Sequence, residues 1–372
     1  MTSHKNHSMG LRRDGFVSFN GFDYIELYVG NAYQAAHFYR TAFGFFPVAY
    51  AGLETGERDR VSYIMEQGQV RLILTAATSP ESQVAEHVRL HGDSIKDIAF
   101  VVDDARQAFA TVVERGATPI MEPSMSEDQY SRVIKATIAA CGHTVHSFIQ
   151  RDGSQHAFFP QYRTLTKELP ALSSGLEAID HVAISVENGT LDQWIDFYKN
   201  VLGFHQSHQE DIFTEYSAMI SRVVQNGNGS IKFPIMEPAL GQRKSQIEEY
   251  LEFNRGPGVQ HVAFLSTKIV DTVRLLQKNS IEFLHSPDTY YQELESRIGE
   301  IDEDFNSLRE LNILADRDQW GYLLQIFSKP LQSRPTLFIE IIQRVGARGF
   351  GGGNIRALFE AVEREQAIRG NL

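Results

Sequence analysis

The chain has a single cysteine, Cys141. One thiol excludes an intrachain disulfide and a thiolate metal cluster, and it fits a reducing compartment, so a cytoplasmic location is expected. No apolar run reaches the length of a bilayer span, so no membrane partner is expected. The opening residues, M-T-S-H-K-N-H-S-M-G, lack the apolar core of a secretory signal. Residues 1–17 read as a mobile tail, with His4 and His7 solvated. Positive charge is in deficit: 35 Lys and Arg stand against 47 Asp and Glu, a formal net charge of −12. Polyanions are repelled by such a chain, which argues against nucleic acid as a partner and still allows a local basic pocket. The 372 residues, 42% of them hydrophobic, suffice for one large or two ordinary domains.

The chain repeats itself. F-D-Y-I-E-L-Y-V from Phe22 is followed by a helical stretch and F-G-F. I-D-H-V-A-I-S-V from Ile179 is followed by a helical stretch and L-G-F. A second pair starts at Lys96 (K-D-I-A-F-V-V) and Gln260 (Q-H-V-A-F-L-S), each a strand leading into a helix with apolar residues at i, i+3 and i+4. Further strands flank Gly-containing turns. The pattern predicts an α+β protein with mostly antiparallel curved sheets. Its two domains, 18–159 and 177–372, are each built from paired βαβββ modules, with a linker at 160–176 marked by Pro, Ser and Gly.

Three apolar strands of the second half each carry one polar ligand type: His181, His261 and Glu340. A carboxylate within T-L-F-I-E-I-I-Q-R is costly unless paired or metal-bound. Two imidazoles and one carboxylate suit the facial triad of a non-haem Fe(II) oxygenase, which leaves positions open for substrate and O2. Each histidine alone is equally well read as a hydrogen-bonded core residue, and Glu340 as the partner of a buried arginine. The repeat supplies a comparison: Tyr24, Asp97 and Ser147 stand opposite the three, so the first half lacks the set at equivalent positions.

The strings K-S-Q-I-E-E-Y-L-E-F, G-V-Q-H-V-A-F, G-Y-L-L-Q-I-F-S-K-P, R-P-T-L-F-I-E-I-I-Q-R and G-F-G-G-G-N resemble the family of 4-hydroxyphenylpyruvate dioxygenase and 4-hydroxymandelate synthase. The resemblance implies a vicinal-oxygen-chelate, glyoxalase-like fold with Fe(II) in the second domain only. It also implies an aromatic 2-oxo acid and O2 as reactants, and a homo-oligomer, a dimer or tetramer. By position it makes His181, His261 and Glu340 the iron ligands. Ser221, Gln246, Gln260 and Gln325 match polar pocket residues, and Phe327 and Phe338 match pocket aromatics. Phe350, Asn354 and Phe359 match a glycine-rich turn and a C-terminal lid helix. Without the family, Gln246 reads as a solvated helix residue and the aromatics as plain core. Gln325, inside an apolar strand, needs a hydrogen-bond partner under either reading.

Two positions depart from the dioxygenase pattern. Met236 replaces an Asn in F-P-I-M-E-P, and Ile355 replaces a Phe in G-N-I. The synthase is similar in having apolar residues there. The family's two outcomes, homogentisate from attack on the ring and 4-hydroxymandelate from benzylic hydroxylation, differ in which carbon is presented, a matter of positioning. These residues point to 4-hydroxymandelate as the product, with homogentisate formation in tyrosine catabolism as the alternative. A metal-free binding protein on the same scaffold is the reading from another class.

Overall fold

The computed structural model of the chain describes residues 17–128, 131–153, 159–165 and 173–371. The expected tail, apart from Val17, lies outside the described residues, as do positions 166–172 of the expected linker.

Four βαβββ modules follow one another. The first comprises β1 (Phe19–Tyr28), the helix Ala32–Phe43, β2 (Phe46–Ala51), β3 (Arg60–Gln67) and β4 (Val70–Ala77). The second has β5 (Ser94–Val102), the helix Ala105–Glu114, β6 (Pro119–Glu127), β7 (Ser131–Ala139) and β8 (Val145–Gly153). Then comes β9, only Arg163–Thr164, at the edge of the first sheet; part of the expected linker is therefore a strand. The third module has β10 (Ala178–Ser185), the helix Leu191–Asp196, β11 (His205–Phe213), β12 (Ala218–Gln225) and β13 (Lys232–Ala239). The fourth has β14 (Gly258–Leu265), the helix Ile269–Lys278, β15 (Leu314–Asp318), β16 (Gly321–Phe327) and β17 (Phe338–Val345), and the helix Gly352–Ile368 follows it.

The strand orders are β6-β7-β8-β5-β1-β4-β3-β2-β9 and β11-β12-β13-β10-β14-β17-β16-β15. In each sheet two modules meet through their first strands, β1 with β5 and β10 with β14, both antiparallel. The first and last strands of each module pair in parallel. This is the α+β, duplicated fold that the repeats predict.

Local chemistry sets the boundaries. Asn31 caps the helix Ala32–Phe43 by accepting from the Gln34 amide, and Gly44 ends it at φ 77°, a conformation glycine takes without a Cβ penalty. Every residue of β14 except Leu265 is buried, as suits a central strand covered on both faces. One apolar core runs through both sheets, from Phe19 and Phe100 to Phe233 and Phe264. His146 adds a polar tie across the halves: its Nδ1 faces the Ile98 carbonyl at 3.3 Å and its Nε2 the Tyr198 hydroxyl at 2.8 Å.

A candidate metal centre under the C-terminal helix

The inner face of the second sheet brings His181, His261 and Glu340 together. β10 skips a residue in its pairing with β14 between Ile179 and His181, and such a bulge re-aims the side chains beside it. Both histidine Nε2 atoms point at one carboxylate oxygen: His181 lies 3.1 Å and His261 3.4 Å from Glu340 Oε2. All three side chains are buried.

The other ring nitrogens face acceptors. His181 Nδ1 lies 2.8 Å from Asp180 Oδ1, and His261 Nδ1 lies 3.2 Å from Gln260 Oε1. A proton on each Nδ1 leaves each Nε2 free to donate its lone pair, the arrangement of ligating histidines. Asp180 is gripped by Arg344 (2.7 and 2.9 Å) and approached by Lys232. Burial by itself would push the Asp180 carboxyl up, but Arg344 and His181 hold it well below its ordinary range. Burial likewise opposes the Glu340 charge, but the imidazoles, when they carry a proton on the Nε2 that faces it, outweigh burial and hold Glu340 at about 2; a metal cation would take the place of those protons. An anionic carboxylate with two imidazole lone pairs on one face fits a divalent iron.

The last helix is tied directly to this centre. Gln325 donates to Glu340 Oε1 (2.9 Å) and to the Phe350 carbonyl (3.3 Å), while its own oxygen accepts from Asn354 (2.8 Å). Tyr290 lies 2.6 Å from Asn354 Oδ1. The Phe350 ring stands edge-on to His181, 5.2 Å between centres.

The cavity beside the triad measures about 40 Å³. Of the residues predicted from the sequence, Ser221, Met236, Gln246, Gln260, Gln325, Phe327, Phe350 and Ile355 line it with His181, His261 and Glu340. Phe338, Asn354 and Phe359 do not. Phe338 stacks on the His261 ring at 4.8 Å, and Asn354 is engaged with Gln325 and Tyr290. Phe359 is fully buried with Met219, Met236 and Ile247; Met219 and Met236 themselves line the cavity, so Phe359 packs behind its wall. Sequence reasoning missed His208, Glu210, Met219, Val223, Pro234 and Leu358 as lining residues. It also missed Asp180 and Arg344. A signal for that pair was present: both halves read D-H or D-Y in their first strand and Q-R in their last.

Register confirms the alignment of the halves. Tyr24 pairs with Ala99 as His181 pairs with Ala263, and Ala99 faces Ser147 as Ala263 faces Glu340. In the first sheet the Asp97 carboxylate, at the His261 position, accepts from Tyr24 (2.9 Å), Ser147 (2.6 Å) and Lys135 (2.9 Å). A lysine ammonium sits where a metal ligand set would otherwise need a cation.

Two domains of paired βαβββ modules, with two histidines and a carboxylate on one inner face, define a vicinal-oxygen-chelate enzyme. Residues 14–160 match the family described as hydroxyphenylpyruvate dioxygenase, N-terminal, and residues 178–326 match the glyoxalase, bleomycin resistance protein and dioxygenase superfamily. The chain is 43% identical to 4-hydroxyphenylpyruvate dioxygenase of Yarrowia lipolytica, over 95% of this chain and 94% of that one. It is 42% identical to the same enzyme of Danio rerio, over 100% and 96%. A solved triple mutant of 4-hydroxymandelate synthase from Streptomyces coelicolor superposes with a TM-score of 0.83 at 39% identity, covering 94% of this chain and 99% of that one. The chain belongs to the 4-hydroxyphenylpyruvate dioxygenase family, whose members are non-haem Fe(II) dioxygenases.

Proposed function

We propose that His181, His261 and Glu340 hold Fe(II), and that the chain converts 4-hydroxyphenylpyruvate and O2 to homogentisate and CO2. The observation that carries the reading is the convergence of two imidazole Nε2 atoms on one anionic carboxylate, beneath a helix hydrogen-bonded to that carboxylate through Gln325. The curated relatives at 43% and 42% identity bear the dioxygenase's name, which favours homogentisate over the product expected from the sequence.

Bound Fe(II) supplies the activation of O2 and of the chelated 2-oxo acid. The chain's own residues do the rest. Asp180 and Gln260 keep the ligand imidazoles in one tautomer. Ser221, Gln246 and Gln260 give the cavity hydrogen-bonding groups, and Phe327, Met236, Ile355 and Leu358 give it apolar walls. At about 40 Å³ the cavity is far below the roughly 300–1,000 Å³ of ordinary ligand sites, so Phe350, Ile355 and Leu358 must swing outward to admit an aromatic acid. Their return excludes water during turnover.

A second reading, 4-hydroxymandelate as product, is favoured by Met236 and Ile355. Both line the cavity and offer no polar group to hold a ring hydroxyl or flat wall to hold a ring. The test is to incubate Fe(II)-loaded protein with 4-hydroxyphenylpyruvate and O2 and identify the aromatic product. Homogentisate supports the main reading, 4-hydroxymandelate moves the conclusion to the second, and absence of O2-dependent turnover overturns both.

A further inference from the structure

A second cluster of imidazoles lies in the first domain, away from the triad. His87 and His91 sit one turn apart on the helix Gln83–His91, and His143 lies in the turn between β7 and β8. One ring nitrogen from each falls within 4.8 Å of the others. His87 and His91 are buried, and His143 is exposed.

The hydrogen bonds assign the tautomers. His91 Nδ1 lies 2.5 Å from the Asn254 carbonyl, which only accepts, so the His91 proton is on Nδ1. His91 Nε2 therefore carries a lone pair, and it faces His143 Nδ1 at 2.7 Å. The hydrogen bond between them puts a proton between the two rings, where a metal cation would replace it. His87 Nε2 lies 2.9 Å from the Ser94 hydroxyl, and the His87 and His91 ring centres are 4.5 Å apart. The i, i+4 spacing puts both on one helix face. The Asn254 carbonyl behind His91 supplies the outer hydrogen bond that ligating histidines ordinarily make. Lys96 donates from its ammonium to the His143 carbonyl, 2.5 Å away, and its positive charge reaches His87 and His91 and favours their neutral, lone-pair-bearing forms.

We propose that His87, His91 and His143 form a second divalent-metal site, separate from the iron centre, with water completing the coordination on the exposed side. Three imidazoles and no carboxylate select a borderline ion such as Zn(II) or Co(II) and disfavour Mg(II) and Ca(II), which demand oxygen ligands. Metal–nitrogen bonds of about 2.0–2.1 Å place tetrahedral ligand nitrogens about 3.3 Å apart, so the His91–His143 separation opens slightly and His87 closes in. Because His91 is bonded to the last residue of the helix Gln246–Asn254, the ion links a helix and a turn of the first domain to the second. Binding to the folded state alone raises its stability.

The test is an anaerobic Co(II) titration of metal-free full-length protein, read by visible absorption and by Tm. Wild type takes two equivalents, with a Tm that rises as the second binds. Glu340→Ala removes the triad's equivalent and keeps the other. His143→Ala, or His143→Gln, changes an exposed turn residue, keeps the triad's equivalent and loses the other. His4→Ala with His7→Ala keeps both, which excludes the terminal histidines. The proposal is overturned if wild type takes one equivalent that Glu340→Ala abolishes, or if both His143 variants still take two.

Discussion

Asp180 grips Arg344 through two parallel hydrogen bonds, Nε to Oδ2 at 2.7 Å and Nη2 to Oδ1 at 2.9 Å. Asp23 and Arg151 repeat the pair in the first domain, Nε to Oδ2 at 2.9 Å and Nη2 to Oδ1 at 2.7 Å, at the equivalent bulge. The ion pair thus belongs to the duplicated fold, and only the second copy also bonds a histidine of the candidate metal centre, His181.

That distinction separates two variants. Removing one partner of a buried pair costs about 3–5 kcal/mol, so Asp23→Ala and Asp180→Ala are both expected to lower stability. Only Asp180→Ala is expected to weaken Fe(II) binding, by roughly 10–100-fold, because His181 loses the acceptor for its Nδ1 proton. Chemical denaturation and anaerobic iron titration of the two variants check this. Equal iron affinity in both contradicts it.

The turn into the last helix depends on Gly351. Its φ is 72°, and a Cβ there would lie 2.6 Å from Gln325 Oε1. Gly351→Ala is expected to displace Gln325 from Asn354, leave iron content intact and cut kcat by roughly ten- to hundredfold. Steady-state kinetics with metal analysis checks it; unchanged kcat would show that helix docking and turnover are independent.

The apolar wall is expected to divert part of the flux to benzylic hydroxylation. Met236→Asn with Ile355→Phe should lower the share of 4-hydroxymandelate relative to homogentisate, and Ile355→Phe alone should do so in part. The effects need not add, since both residues line one cavity. Crowding costs about 1–3 kcal/mol and lowers total turnover without bearing on the ratio. An unchanged product ratio in the iron-loaded double variant contradicts a positioning role.

Acid is expected to loosen the interface between the halves. Burial pushes His146 down to about 4, so the folded chain keeps it neutral while the unfolded chain protonates it below its ordinary value. Its contribution is fully present above about pH 6.5 and is lost as pH falls toward 4. From pH 7 to 5 this one group costs about 2 kcal/mol. His146→Gln should flatten the pH dependence of urea unfolding by about that amount, and an unaltered slope would assign the acid sensitivity to other groups.

Much of this was legible in the sequence because the chain contains its own comparison. The repeated strand–helix strings mark four modules, and the absence of His181, His261 and Glu340 from the twin half marks them as a set. What was not legible depends on side-chain direction. His208 and Glu210 lie on β11, an edge strand with little burial, so no apolar pattern marks them as facing the cavity. β9 is two residues long and has no period to read. Phe359 and Phe338 lie near the site in sequence, but packing behind the lining residues Met219 and Met236 and stacking on His261 keep the two rings out of the cavity wall, and neither packing partner can be read from a linear pattern.

The most direct measurement of the central claim is anaerobic Fe(II) binding by wild type and Glu340→Gln, followed by O2 uptake with 4-hydroxyphenylpyruvate. Glu340→Gln keeps the volume and the hydrogen bonding toward Gln325 while removing the anion between the two histidines. Wild type should bind iron at the triad and consume O2 with substrate, and the variant should lose both tight binding and O2 uptake. Full iron affinity and unchanged O2 consumption in Glu340→Gln would contradict it.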